Sequence, residues 1–246
     1  MSLQACANLV ARADPERFSA VMAAPLGARA VLLPIYAAAA EVARAPWMTQ
    51  EPMIAEMRLQ WWRDVFEEIE ECKVRKHEVV EPLAKVLTPK GAQSLDTMAL
   101  ARRWDIYKEG FDNPEALLRH VRDITMGPML AALDSLGDLT SDLQSLEVHA
   151  TQLGLVRFLR GIPNLISLKV PVWSEGRKII IYKDLCDKAY SMNFSEIQSP
   201  AMIESANCRR VLRFIMRNPG AVEIGAIPDF ALSTALARAW RAWLSS

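Results

Sequence analysis

The sequence predicts an all-α, single-domain helical bundle, and three observations carry that prediction. Apolar residues recur at helical spacing along nearly the whole chain, while strand-like alternation is almost absent. No internal repeat, low-complexity linker or break in composition divides the 246 residues, a length that one core can serve. Hydrophobic residues make up 51% of the chain, so burial can hold it together without disulfides or metal.

The elements follow in order. Asp14-Pro15 opens a short helix, with Asp14 as the cap and Pro15 in the first helical position. The next helix runs from about Leu26 to Arg44, and Pro34 inside it predicts a kink or a one-turn break. Pro52 to about Glu71 is the strongest helix: Leu59, Trp62, Phe66 and Ile69 share one side, and Glu56, Gln60, Arg63 and Glu67 line another. After a charged hinge at 73–77, helices are expected around Val79 to Leu87 and from Ser94 to Lys108. Asn113-Pro114-Glu115 starts a helix toward Leu136 that Gly127-Pro128 should interrupt. Asp142 to Leu168 reads as one long helix bent by Gly161 and Pro163. Between Lys169 and Tyr182 the pattern changes, and Val170 to Trp173 and Ile179 to Tyr182 could be extended. Helices over Lys183 to Met192, Pro200 to Arg217 and Asp229 to Leu244 close the chain.

Charge and cysteine usage exclude several classes. Acidic and basic residues balance at 29 each, without the basic excess of a nucleic-acid-coating protein. Cys6, Cys72, Cys186 and Cys208 lie far apart, which argues against a thiolate metal site and for free thiols in a reducing compartment. His77, His120 and His149 are equally scattered and read as structural or surface residues. Residues 1–14 lack the basic-then-apolar order of a secretory signal. The uncharged run Ala30 to Ala40 is half the ~20 residues of a membrane span and reads as a buried core helix. No Gly-x-Ser-x-Gly, no recognisable Cys/His pair and no phosphate-cradling glycine loop occurs.

One segment is specific. Asp14-Pro15-Glu16-Arg17-Phe18, the alanine-rich helix bearing Tyr36, and above all Glu51-Pro52-Met53 continuing to Arg58-Leu59-Gln60-Trp61-Trp62-Arg63-Asp64 resemble the first quarter of squalene/phytoene synthase family proteins. Leu153 to Arg160 is similar to the family's second motif-bearing helix, and the C-terminal third matches in helical character. The resemblance implies a bundle of the isoprenoid (terpenoid) synthase type. It also implies a chemistry: active members join two prenyl diphosphates, using Asp-rich motifs on facing helices to hold magnesium against the departing diphosphate. Carboxylates four apart on a helix share one face and can share an ion.

This chain departs from both motifs. The family's Asp-x-x-x-Asp falls here on Ala40, Glu41, Val42, Ala43 and Arg44, and the second motif on Arg157, Phe158, Leu159, Arg160 and Gly161, then Asn164 and Leu165. Glu41 and Arg160 remain, the aspartates are gone, and Arg17 stands where many active members carry serine. No magnesium or other cofactor is therefore expected. The residues the resemblance assigns to the diphosphate mouth are Tyr36, Glu41, Arg44, Arg157 and Arg160.

Each feature has a plainer alternative. The acidic run Asp64, Glu67, Glu68, Glu70 and Glu71 reads as a solvated helix end facing Lys73, Arg75 and Lys76 rather than a substitute metal site. Arginine can hold phosphate without metal through its fork of donors, yet Arg44, Arg157 and Arg160 can equally pair with Glu41, Glu56 or helix C-termini and fill the old metal space. Trp61 and Trp62 point about 100° apart and read first as core, as do Met48, Met53, Met57, Met126 and Met129.

Three functional expectations follow. The first is a catalytically inactive scaffold with an apolar cavity for a prenyl or quinone-like tail. The Glu-Pro-Met…Trp-Trp-Arg-Asp pattern is similar to a branch associated with respiratory complex I assembly, which implies a protein partner and a bacterial cytoplasmic or mitochondrial matrix location. The alternative is a prenyltransferase or prenyl-diphosphate-binding enzyme that uses arginines in place of metal. The third is peripheral membrane contact through Trp240 to Leu244, flanked by Arg238 and Arg241.

Overall fold

The structure is a computed structural model that describes residues 3–139, 142–174 and 180–244. Among these residues it is helical throughout, with one isolated bridge between Phe111 and Trp173. The helices are α1 (Leu3–Ala13), α2 (Pro15–Ala23), α3 (Leu26–Arg44), α4 (Pro52–Glu70), α5 (Val80–Leu83), α6 (Pro89–Ala101), α7 (Trp104–Tyr107) and α8 (Pro114–Leu136). They continue as α9 (Leu143–Ser167), α10 (Ile180–Ser191), α11 (Cys208–Arg217) and α12 (Ala231–Leu244), with 3-10 turns at Ala45–Met48, Pro200–Ser205 and Pro219–Ala221.

Short polar side chains set several of the starts. Asp14, Thr88 and Asn113 accept the backbone N–H three residues on, at 2.9, 3.0 and 2.8 Å, and each is followed by proline at the first helical position. Asp142 caps α9 through Ser145 N at 3.0 Å. Each such cap contributes about 1 kcal/mol.

The internal prolines do not end their helices. Pro34, Pro128 and Pro163 lie inside α3, α8 and α9, which run unbroken. The one-turn break allowed at Pro34 and the interruption expected at Gly127-Pro128 do not occur. Leu32 to Ala39 and Gly127 to Met129 are buried, so packing on both sides outweighs each lost hydrogen bond. Elsewhere the expected helices divide. Ser94 to Lys108 becomes α6 and α7, and Lys108 closes α7 with a left-handed φ of 54°. Pro200 to Arg217 becomes a 3-10 turn and α11. Ile180 to Tyr182 is helical rather than extended, and Ile179 lies outside the described residues.

The core forms around α3 and α8. α8 packs against α6 and α9, α3 against α1 and α8, and α4 against α6. On α4, Leu59, Trp62, Phe66 and Ile69 are all buried, as their spacing requires. Leu26–Met48 is long and apolar enough to cross a membrane, but 56% of its most apolar window is buried inside the bundle.

Two glycines let α8 approach its neighbours. A Cβ on Gly127 would lie 2.5 Å from the Ser94 carbonyl oxygen of α6. One on Gly154 of α9 would overlap the Val121 carbonyl oxygen and stand 2.6 Å from Thr125 Oγ1. Backbone cannot yield as a side-chain tip can, so Gly154→Ala is expected to destabilise by about 1–3 kcal/mol, roughly 2–4 °C in melting temperature per kcal/mol. Gly161 sits on the same helix with nothing within 4 Å of its added Cβ. Gly161→Ala should therefore stabilise by up to about 1 kcal/mol through helix propensity. Thermal melts of both variants check this; equal shifts would remove the close-approach argument.

Candidate functional site

A cavity of about 460 Å³ opens among α2, α3, α6, α8 and α9. One wall is small and apolar because α3 presents the adjacent Ala39 and Ala40 there, with Ala43 one helical turn further on. Met98, Ile124, Pro128 and Phe158 extend the apolar surface. Arg17, Arg44, Arg102 and Arg157 bring four guanidiniums to the same space, and among the described residues Asp14 is the one carboxylate lining it.

Below the cavity, two of these arginines are locked into a buried network. Arg157 Nη2 lies 3.0 Å from Glu204 and 3.2 Å from Asp14. Arg17 Nε lies 2.9 Å from the same Glu204 oxygen and 3.7 Å from Asp14, and its guanidinium sits 4.7 Å above the Tyr36 ring. Glu204 keeps 3% of its side chain exposed, and its Oε1 has no hydrogen-bond partner. Burial opposes ionisation of Glu204 and Asp14, but Arg17 and Arg157 outweigh it and hold both carboxyls below their usual range. Burial alone would lower the Arg157 pKa; Asp14 and Glu204 reverse that and raise it, so the guanidinium stays charged. Burial, then Glu204, pushes the Tyr36 hydroxyl well above its ordinary value.

The residues expected at the mouth divide among several places. Arg44 and Arg157 line the cavity together. Tyr36 is buried beneath Arg17. Glu41 reaches Arg44 at 3.4 Å but borders a separate recess of about 310 Å³ with Trp61, Trp62 and His77. Arg160 points away from the cavity, binding Glu16, the Pro228 carbonyl at 3.2 Å and Asp229 at 3.8 Å. Glu56 pairs with Arg103 at 2.8 Å and Tyr107 at 3.0 Å, not with the central arginines. In the acidic run, Glu68 binds Arg75 at 2.7 Å and Glu71 binds Lys73 at 2.6 Å, the local pairing its charge pattern suggested.

These walls do not fit magnesium. A hard divalent cation takes about six oxygen ligands, whereas the cavity offers one carboxylate, already held by Arg17 and Arg157, amid four cations. Among the described residues no group of three or more His, Cys, Asp or Glu side chains converges on a metal-sized space.

The sequence matches the model of the squalene/phytoene synthase family over residues 10–218. This chain belongs to that family. The crystal structure of a dehydrosqualene synthase in complex with ligand is similar in fold, with a TM-score of 0.73 over 97% of this chain and 95% of that one, at 9% identity. At that identity the likeness establishes the terpenoid-synthase-type bundle and nothing finer. No curated protein matches the sequence.

In this family member, sequence reasoning missed Asp14, Arg102 and Glu204 and treated Arg17 only as a lost serine. Asp14 and Arg17 carried a signal, since a capping aspartate three residues before an arginine places both at one helix start. Glu204 carried none: it lies 187 residues from Arg17, and only the fold brings them together.

Proposed function

We propose that this squalene/phytoene synthase family member is a non-catalytic bundle whose central cavity takes an isoprenoid-type ligand without metal. The carrying observation is the commitment of the cavity-side carboxylates. Asp14 and Glu204 neutralise Arg17 and Arg157, which leaves no oxygen cluster to draw a diphosphate off as magnesium would. The alanine wall offers an apolar tail its surface, and Arg44, 60% exposed and only loosely paired with Glu41 at 3.4 Å, stands at the rim for a polar or anionic head, whereas Arg102 beside it is tied to Asp105 at 3.0 Å. About 460 Å³ lies within the usual range of ligand pockets, ~300–1,000 Å³. Retained fold without the metal motifs supports a scaffold or assembly-factor role, in the respiratory-complex branch that the Glu51–Asp64 motif resembles.

The test uses farnesyl and geranylgeranyl diphosphate. Neither should be converted with magnesium present, while one should raise the melting temperature without it. Ala43→Phe, which fills the cavity, should abolish the shift, and Arg44→Ala should weaken it; Arg160 variants should not matter. Product formation would sink the non-catalytic reading and favour the alternative, a prenyltransferase that stabilises the leaving group with arginine.

A further inference from the structure

A larger arginine-lined space lies elsewhere on the molecule. A groove of about 600 Å³ runs along α11, bordered by the segment after α10 and by Phe230 and Arg241. Arg209, Arg213 and Arg217 recur every fourth residue of α11, so they form a ladder with steps of about 6 Å. Arg210 and Arg241 add two more guanidiniums. Among the described residues Glu196 is the one carboxylate lining the groove, and Arg241 holds it at 2.8 Å. Among the described residues, no carboxylate forms an ion pair with Arg209, Arg210, Arg213 or Arg217. The central arginines are largely compensated by acids; these are not, in a chain whose charges balance at 29 each.

Several of these side chains are held in place before any ligand arrives. The Arg209 guanidinium sits 4.2 Å from the Tyr190 ring centre and 5.3 Å from that of Phe194, and donates to the Tyr190 carbonyl at 3.1 Å. Arg213 donates to the Tyr190 hydroxyl, and Arg210 lies 4.9 Å over Phe230. Pre-oriented forks lose less side-chain freedom on binding.

We propose that this groove is a second ligand site, distinct from the central cavity, which takes a phosphate-bearing anion on the Arg209–Arg213–Arg217 ladder. A tetrahedral dianion can accept from two neighbouring forks and offset both charges, whereas a carboxylate satisfies one. The phosphate has two possible sources, a soluble phosphate compound or a headgroup at a bilayer surface. The second source has structural support nearby: Leu236, Trp240 and Trp243 on α12 are 72%, 61% and 67% exposed. Trp240 and Trp243 belong to the Trp240 to Leu244 end that the sequence suggested for membrane contact; Leu236 extends it, and the side chain of Leu244 lies outside the described ones.

The experiment measures two probes in phosphate-free buffer: inorganic pyrophosphate by calorimetry, and phosphatidylcholine vesicles with and without phosphatidic acid by co-sedimentation. Wild type should bind at least one probe, and Arg213→Gln/Arg217→Gln should weaken that binding at least tenfold, while Ala43→Phe leaves it unchanged. Pyrophosphate binding alone assigns the site to a soluble ligand; binding only to phosphatidic acid vesicles assigns it to a headgroup. If circular dichroism shows the double variant misfolded, Arg217→Gln alone, which breaks no contact of Tyr190, should still weaken binding about threefold. The proposal fails if neither probe binds, if binding survives these variants, if Ala43→Phe removes it, or if polyglutamate binds where both phosphate probes do not. Because Ala43 lies in the central cavity, failure here leaves the isoprenoid reading intact, and the reverse holds too.

Discussion

Glu204→Gln is expected to lower stability by about 3–5 kcal/mol, the usual cost of removing one partner from a buried ion pair. For a domain of this length that corresponds to a melting temperature roughly 10 °C lower. The substitution keeps size and shape, so no cavity is created; what it removes is the charge that Arg17 and Arg157 share at 2.9 and 3.0 Å. Asp14 remains, but at 3.7 and 3.2 Å and 26% exposed it can replace only part of that field. Arg44→Ala provides the contrast. Its side chain is 60% exposed and meets Glu41 at 3.4 Å, so its loss should cost under about 1 kcal/mol. Urea unfolding of both variants decides the matter. Similar small losses would mean that the buried network is a passive remnant rather than the element that joins α2 and α9 to the 3-10 turn at Pro200–Ser205.

That network also shows where sequence reading stops. Helices with a capping residue and proline at the start, α2 and α8, were legible because their start signals are local. α4 was legible from its apolar stripe. The first helix, Leu3–Ala13, went unassigned, since no proline marks its first turn as one does in α2 and α8. The splits at Arg102 and Ala206 follow from tertiary turns, such as the Trp104 indole donating to the Glu109 carbonyl at 2.7 Å while its ring stacks on Phe111 at 4.8 Å. The site was half legible for a similar reason. Arg157 and Arg160 are three residues apart on one helix and appear from sequence to share a face, about 60° apart. Long side chains then separate them: Arg157 enters the network with Glu204, whereas Arg160 turns to Glu16 and Pro228.

Acidification should expose a second large effect, centred on His120. The ring packs against Trp104 and Phe111 at 5.1 and 5.3 Å. Burial, and then the charge on Arg102, push its pKa from the ordinary 6.5 down to about 3. The folded chain therefore keeps His120 neutral where the unfolded chain would protonate it. Its contribution is fully present above pH 6.5 and is lost as pH falls toward 3, at up to about 1.4 kcal/mol per unit. Partial exposure of the ring trims the expected loss to about 2–3 kcal/mol between pH 7 and pH 4. His149 shifts in the same direction, by burial and then Arg241, and should add to the slope. Urea denaturation across this range should show wild type losing about 2–3 kcal/mol more than His120→Phe, which keeps an aromatic ring there and cannot titrate. Parallel curves would mean that His120 accepts its proton without unfolding. The consequence reaches the cavity, because Arg102 lines it and Phe158, on its wall, packs edge-on against the same Trp104–Phe111 pair. A charged His120 beside Arg102 places two cations where the fold has balanced one, so loss of ligand binding on acidification should precede or accompany unfolding rather than trail it.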